Sequence, residues 1–189
     1  GRNDELVLNH VAQLSGRGLL KVVSLPALEV GESSGVDNIH GYIKKNAALI
    51  ARRTPDAPLI VLLDWEVGDE KIKSIKKSYG LLGDRYVIKA NEASCNAQLD
   101  ASFVGLERFY PSSVLRKAHQ DGICSLAFPA NGGAWSIEKS QLSKCKARLA
   151  QMVLEITDIK ELAHLVGVVE QAYYASVAKA REQIGLLGR

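Results

Sequence analysis

The stretch "APLIVLLD", residues 57–64, constrains this chain more than any other. Five consecutive apolar residues, Leu59 to Leu63, leave no polar face for water on either side of an extended strand. Such a strand has to be covered on both faces, as in the parallel sheets of α/β proteins. The run then meets Asp64, Trp65 and Glu66. If the strand continues that far, alternate side chains share a face, which puts Asp64 and Glu66 together and Trp65 opposite, against the core. Two carboxylates held so close repel unless a proton or a cation lies between them, and hard divalent ions such as Mg²⁺ take oxygen ligands of this kind. Acids after a buried strand also have a plainer use, in which the chain has reached water and Asp69 and Glu70 cap the next helix.

The pattern around that strand alternates. "NDELVLNHVAQLSG" carries Leu6, Val7, Leu8, Val11 and Leu14 mainly on one helical face, with Asn3 or Asp4 to cap its start and Gly16 its end. "LLKVVSLPAL" reads as a buried strand ended by Pro26, and "EVGESSGVDN" as a loop. "VDNIHGYIKKNAALIARR" is helical with a basic end, "DEKIKSIKKSYG" is a short amphipathic helix stopped by Gly80, and "RYVIKA" is another strand. Helix and strand in turn predict an α/β domain with a mostly parallel sheet flanked by helices, its strand C-termini on one ligand-binding edge. Past residue 105, "GLERFYPSSVLRKAHQDG" reads as a short helix interrupted by Pro111, "FPANGGAWS" as a loop, and Ile137 to Ile184 as a helical C-terminal part. Two regions are therefore expected, an α/β core over 1–104 and its helical continuation over 105–189.

Composition narrows the function classes. With 189 residues the chain suits one domain and at most a small appended lobe. A net charge of +3 permits a polyanionic partner without requiring one, because 24 basic residues are scattered among 21 acidic ones. Cys95, Cys124 and Cys145 are odd in number and lack CxxC spacing, which predicts reduced thiols and a cytoplasmic setting. No apolar run reaches the roughly 20 residues of a membrane helix, and the N-terminus has no signal-peptide pattern. The four histidines have no metal-ligand spacing, no G-x-S-x-G elbow occurs, and "GESSG" lacks the Lys-Ser/Thr ending of a phosphate-binding P-loop.

Three further stretches give the acidic pair a context. "GRNDELVLNHVAQLSG" resembles the first motif of the Toprim domain, in which a strand ends in glutamate and glycine, followed by two variable residues, an aspartate and a helix. Gly1, Asp4 and the helix match, and the glutamate with its strand is expected before Gly1, so that the first strand is truncated. "LIVLLDWE" resembles the second motif, Asp-x-Asp, with Glu66 in place of the second aspartate and one methylene longer. "VGLERFYPSSVL" is similar to a segment of the overcoming-lysogenization-defect (OLD) nuclease branch that carries a further acid, here Glu107. "IEKSQLSKCKARLAQMVLEITDIKELAHLVGVVEQ" resembles the helical stretch of the same branch that supplies a lysine.

The resemblance implies a Toprim-like fold and a metal-dependent DNA endonuclease or nickase that hydrolyses phosphodiesters with two divalent ions, Mg²⁺ or Mn²⁺. It implies that Asp64 and Glu66 hold one ion beside the absent glutamate and that Asp4 and Glu107 serve the second. Lys139, Lys144 and Lys146 are the candidates for a lysine that neutralises charge on the phosphate, with Lys144 preferred by its match to the family stretch. The implied partners are DNA and an ABC-type ATPase on the same or a partner polypeptide, with no membrane, while the apolar helical tail suits packing on a neighbouring domain or a second copy in a homodimer. Lys71, Lys73, Lys76 and Lys77 either track a DNA backbone or form a solvated helix face. Two rival expectations stand beside this one: a catalytically inactive Toprim module that binds nucleic acid or a partner protein, and an unrelated α/β domain that holds a small phosphorylated ligand at "GESSGVDN".

Overall fold

The computed structural model describes residues 1–28, 35–53 and 57–187, and for residues 27 and 178–187 the backbone alone. In chain order the elements are α1 (Arg2–Leu14), α2 (Leu25–Leu28), α3 (Val36–Lys45), α4 (Ala47–Ala51), β1 (Val61–Leu63), α5 (Asp69–Tyr79), α6 (Gly83–Tyr86), β2 (Val87–Lys89), α7 (Ser112–Gln120), β3 (Leu126–Ala127), β4 (Ser136–Ile137), α8 (Lys139–Leu154) and α9 (Ala163–Leu187). Short 3₁₀ turns occupy Glu92–Ser94, Gly105–Phe109 and Ile159–Leu162. Most of the glycine-serine loop, residues 29–34, lies outside the described residues, and with it most of the segment on which a small phosphorylated ligand would depend.

The chain folds into two compact units, each discontinuous in sequence, whereas the expected division was a single one after residue 104. The first comprises residues 1–24 and 91–169, the second residues 25–90 and 170–189.

The second unit is the mixed α/β part. Val61, Leu62 and Leu63 pair in parallel with Val87, Ile88 and Lys89, and the ladder is extended by the amide of Ala90 donating to the Leu63 carbonyl at 2.9 Å. Ile43 of α3, Ile72 and Ile75 of α5, and Tyr86 of α6 cover the strands with Val61, Leu63 and Val87. Each buried aliphatic side chain of this kind is worth about 1.5–3 kcal/mol. The Tyr79 hydroxyl donates to the Leu59 carbonyl, and burial raises its pKa to about 12, so the phenol stays protonated and the tie persists. Gly83 sits where a Cβ would lie 2.2 Å from the Lys76 carbonyl oxygen, so only glycine lets α6 close onto the end of α5.

The expected mostly parallel sheet is reduced to this pair of strands among the described residues. The strand expected over 19–28 does not form: residues 20–24 are irregular, Leu25–Leu28 is helical, and Leu19 is fully exposed. Its backbone is satisfied by side chains instead of a neighbouring strand. The Asn9 amide nitrogen donates to the Val22 carbonyl at 2.8 Å, and the Val22 amide donates to the Asn9 oxygen at 2.9 Å. The Ser24 amide and hydroxyl donate to Glu5 at 2.9 and 2.6 Å. Helix α1 thus holds the segment in place without any sheet, a solution that hydrophobic patterning does not reveal.

The first unit is helical around α8. Val7, Leu8, Val11 and Ala12 form the buried stripe of α1, which packs on α8, and α7 packs on α8 as well. Leu142, Cys145, Leu149, Met152 and Val153 are the inward positions of α8. An antiparallel ribbon of β3 and β4, unforeseen from sequence, pairs Leu126 with Ile137 and Ala127 with Ser136 and closes the "FPANGGAW" loop. Pro111 stands just before α7, where a missing amide costs nothing, so it starts the helix instead of interrupting it. All three cysteines are buried, and none is in a disulfide. No helix among the described residues is long and apolar enough to cross a membrane.

Candidate functional site

In the second unit the chain leaves β1 at Leu63 and turns, with the Val67 amide donating to the Asp64 carbonyl at 3.1 Å. The strand therefore stops before the acidic pair. The turn still sorts the side chains as strand alternation would: Asp64 and Glu66 are exposed, while Trp65 is buried at 9% exposure. Both acids stand just past the C-terminal end of β1, the end of a parallel strand at which α/β folds place ligands. Helix α5 follows at once, with Asp69 and Glu70 in its first turn, as its dipole favours. Three of its lysines are engaged in ion pairs within the unit: Lys71 with Asp37, Lys73 with Glu70 at 2.8 Å, and Lys76 with Asp84 at 3.2 Å. Lys77 is exposed.

In the first unit Asp4 occupies the first turn of α1, and its carboxylate accepts a hydrogen bond from the Gly1 amino group. Glu107 lies in the 3₁₀ turn Gly105–Phe109 at 1% exposure. A carboxylate so deep needs a compensating charge, and the Lys146 ammonium supplies it by donating to Glu107 Oε2 at 2.9 Å. Burial nevertheless leaves the Glu107 carboxyl above its ordinary pKa, with Lys146 opposing the shift and Asp4 adding to it. Asp4 and Glu107 are therefore electrostatic neighbours.

Gly105 explains how the turn admits the pair. Its φ of +73° is left-handed, and a Cβ there would stand 3.1 Å from Glu107 Oε2 and 3.6 Å from Lys146 Nζ. Tyr110, fully buried, has a hydroxyl that meets no hydrogen-bond partner among the described residues. Burial, followed by the charges of Glu107 and Asp4, pushes its pKa well above that of a free phenol, so it stays neutral.

Asp4 and Glu107 thus belong to the first unit, and Asp64 and Glu66 to the second. Lys144 is exposed on α8, whereas Lys146, weighed with it, meets Glu107. Helical phase carried that signal: residue 146 lies four after Leu142 and three before Leu149, on the inward stripe, and residue 144 lies on the far side. Gly105 and Tyr110 went unremarked in the sequence because their roles depend on the 3₁₀ turn. Among the described residues no three His, Cys, Asp or Glu side chains gather into a group able to hold a metal ion. Three of the four histidines serve structure: His40 meets Ser78 at 2.8 Å, His10 meets the Ile156 carbonyl at 2.8 Å, and His164 meets the Ser94 carbonyl at 2.9 Å. No protein-family model, curated protein or solved structure matches this chain.

Proposed function

We propose that this chain is a Toprim-like module of the OLD branch that hydrolyses DNA phosphodiesters with divalent metal, as an endonuclease or nickase, in company with an ABC-type ATPase. The observation that carries this reading is the placement of Asp64 and Glu66, both exposed past the C-terminal end of a parallel strand with Trp65 between them buried. Their oxygens suit a hard cation such as Mg²⁺ or Mn²⁺ and stand where water and ligand reach them. A divalent ion bound there supplies Lewis-acid polarisation of a phosphate. Glu107 fits less well as a direct ligand, because an ammonium already takes the cation's place against it. Lys146, about one-third exposed, is the lysine of α8 best placed to act with that carboxylate.

The same Glu107–Lys146 pair favours a second reading, a catalytically inactive Toprim module that binds nucleic acid or a partner protein. A buried carboxylate neutralised from within holds its fold without metal. Plasmid nicking separates the two, measured with Mg²⁺ and Mn²⁺ on the full-length protein. Nicking abolished by Asp64→Ala and by Glu66→Ala supports the enzyme. Metal-dependent nicking that survives both substitutions overturns the site, and retained DNA binding without nicking favours the second reading.

A further inference from the structure

A second feature of the first unit is used neither by the acids nor by the core. Four side chains from α7 and the loop between β3 and β4 form a ladder. The Arg116 guanidinium lies 5.2 Å from the centre of the Trp135 ring, Trp135 meets Phe128 edge to face at 5.1 Å, and Phe128 meets His119 edge to face at 5.0 Å. Edge-to-face contacts and a cation over an indole are each attractive.

The ladder is held from behind by backbone. The Trp135 amide donates to the Gln98 carbonyl at 2.7 Å, and the Asp100 amide donates to the Trp135 carbonyl at 2.9 Å. The Leu126 amide donates to His119 Nδ1 at 3.1 Å, which makes that nitrogen an acceptor and fixes the ring. A cluster whose purpose was packing would cover its rings. Here Phe128 is 44% exposed, Arg116 is exposed, and Arg116 makes no ion pair among the described residues.

We propose that Arg116, Trp135, Phe128 and His119 form a stacking platform for an unpaired nucleotide, with the base on the open part of Phe128 and its phosphate at Arg116. Charge complementarity selects this occupant: the exposed Phe128 ring offers a π surface and Arg116 a positive charge, the two joined through Trp135, which lies 5.1 Å from the one and 5.2 Å from the other, and a nucleotide carries the matching aromatic face and negative charge. A duplex keeps its bases stacked inside and cannot present one to Phe128. The platform therefore distinguishes single strands, flaps or flipped bases from intact helix. It rests on the proposed nuclease reading only for the identity of the polymer, since the ring and the cation act without metal.

The chain has two tryptophans, so Trp65→Phe leaves Trp135 as sole reporter. In this background, with EDTA present, Trp135 emission is titrated with a thymidine oligonucleotide and with a blunt hairpin duplex of equal length. The platform predicts saturable quenching by the single strand, little by the duplex, and affinity about 10-fold weaker in Phe128→Leu, which keeps apolar bulk and loses the ring. Arg116→Gln is expected to weaken binding and flatten its salt dependence. Equal quenching by duplex, no quenching by either, or unchanged affinity in both variants with native circular dichroism overturns the proposal, as does quenching by an acidic phenylalanine peptide alone. Single-strand binding that persists in a chain unable to nick DNA leaves the platform standing while the nuclease reading fails. Nicking without single-strand binding has the opposite meaning.

Discussion

Asp64 and Glu66 in the second unit and Glu107 in the first are the same kind of group under opposite conditions. The former pair rides an exposed turn, where water screens each charge. Glu107 sits at 1% exposure beneath Gly105 and meets an ammonium at 2.9 Å. An acid on an open turn keeps its contact with water, whereas a buried acid depends on the groups packed around it for compensation. That difference ranks the expected effects of mutation.

The largest effect follows from separating the buried pair. Lys146→Met leaves Glu107 uncompensated, and the loss is about 3 kcal/mol, the lower end for a broken buried pair because the lysine keeps contact with water. Asp64→Asn on the open turn is expected to stay within about 0.5 kcal/mol of the parent. Urea unfolding of both variants measures the contrast, and equal losses would break it. The double variant Lys146→Met/Glu107→Gln recovers most of the deficit if compensation, and not packing, is what the lysine supplies.

Gly105→Ala comes next. A side chain at φ +73° strains the backbone, and its Cβ stands 3.1 Å from the carboxylate it overlies, for a loss of about 2 kcal/mol by the same measurement. A conformation that tolerates alanine without loss would mean that the turn has room to relax, and that Glu107 is less tightly held than its contacts indicate.

Much of the second unit was legible in the sequence. The apolar run of β1, the Gly80 stop and basic end of α5, and the strand at "RYVIKA" all express local rules of burial and helix termination, and β1 and β2 pair in parallel as the α/β alternation predicts, while Asp69 and Glu70 stand inside the first turn of α5 and Gly68 is its N-cap. The first unit was less so. Hydrophobic patterning makes "LLKVVSLPAL" a strand, yet two polar side chains of α1 satisfy its backbone, and a period-2 pattern says nothing about who supplies the partner. The exposed acids of the second unit were found by their position after the strand. The pairing of Glu107 with Lys146 joins residues 39 apart in sequence: helical phase marks Lys146 as inward-facing, but phase alone does not say which carboxylate it meets.

Asn9 and Glu5 test that displaced strand. Asn9→Ala removes both bonds to Val22, and the expected cost is about 1 kcal/mol, accompanied by faster hydrogen exchange at the Val22 amide. Unchanged exchange would mean that the segment is held by packing alone.

The smallest effect is one of pH, and it returns to the contrast between acids. The Ser24 hydroxyl and amide both donate to Glu5 and lower its pKa below the usual 4.5, against a weaker opposing contribution from burial. A carboxyl with a lowered folded pKa adds stability above its unfolded value, and that stability is lost as pH falls through the folded one. Glu107 has the opposite sign: its raised pKa favours the protonated form, so its contribution is fullest below 4.5 and declines as pH rises through the folded value. Relative to the parent, Glu5→Gln should therefore be less stable by roughly 0.5 kcal/mol or less near neutral pH, with the gap closing below pH 4.5. Urea titrations of Glu5→Gln and Glu107→Gln between acid and neutral pH should give slopes of opposite sign relative to the parent, because one carboxylate is held by donors near water and the other is ionised against its burial. Parallel slopes would mean that Lys146 compensates Glu107 fully, and the buried acid would then behave like the hydrogen-bonded one.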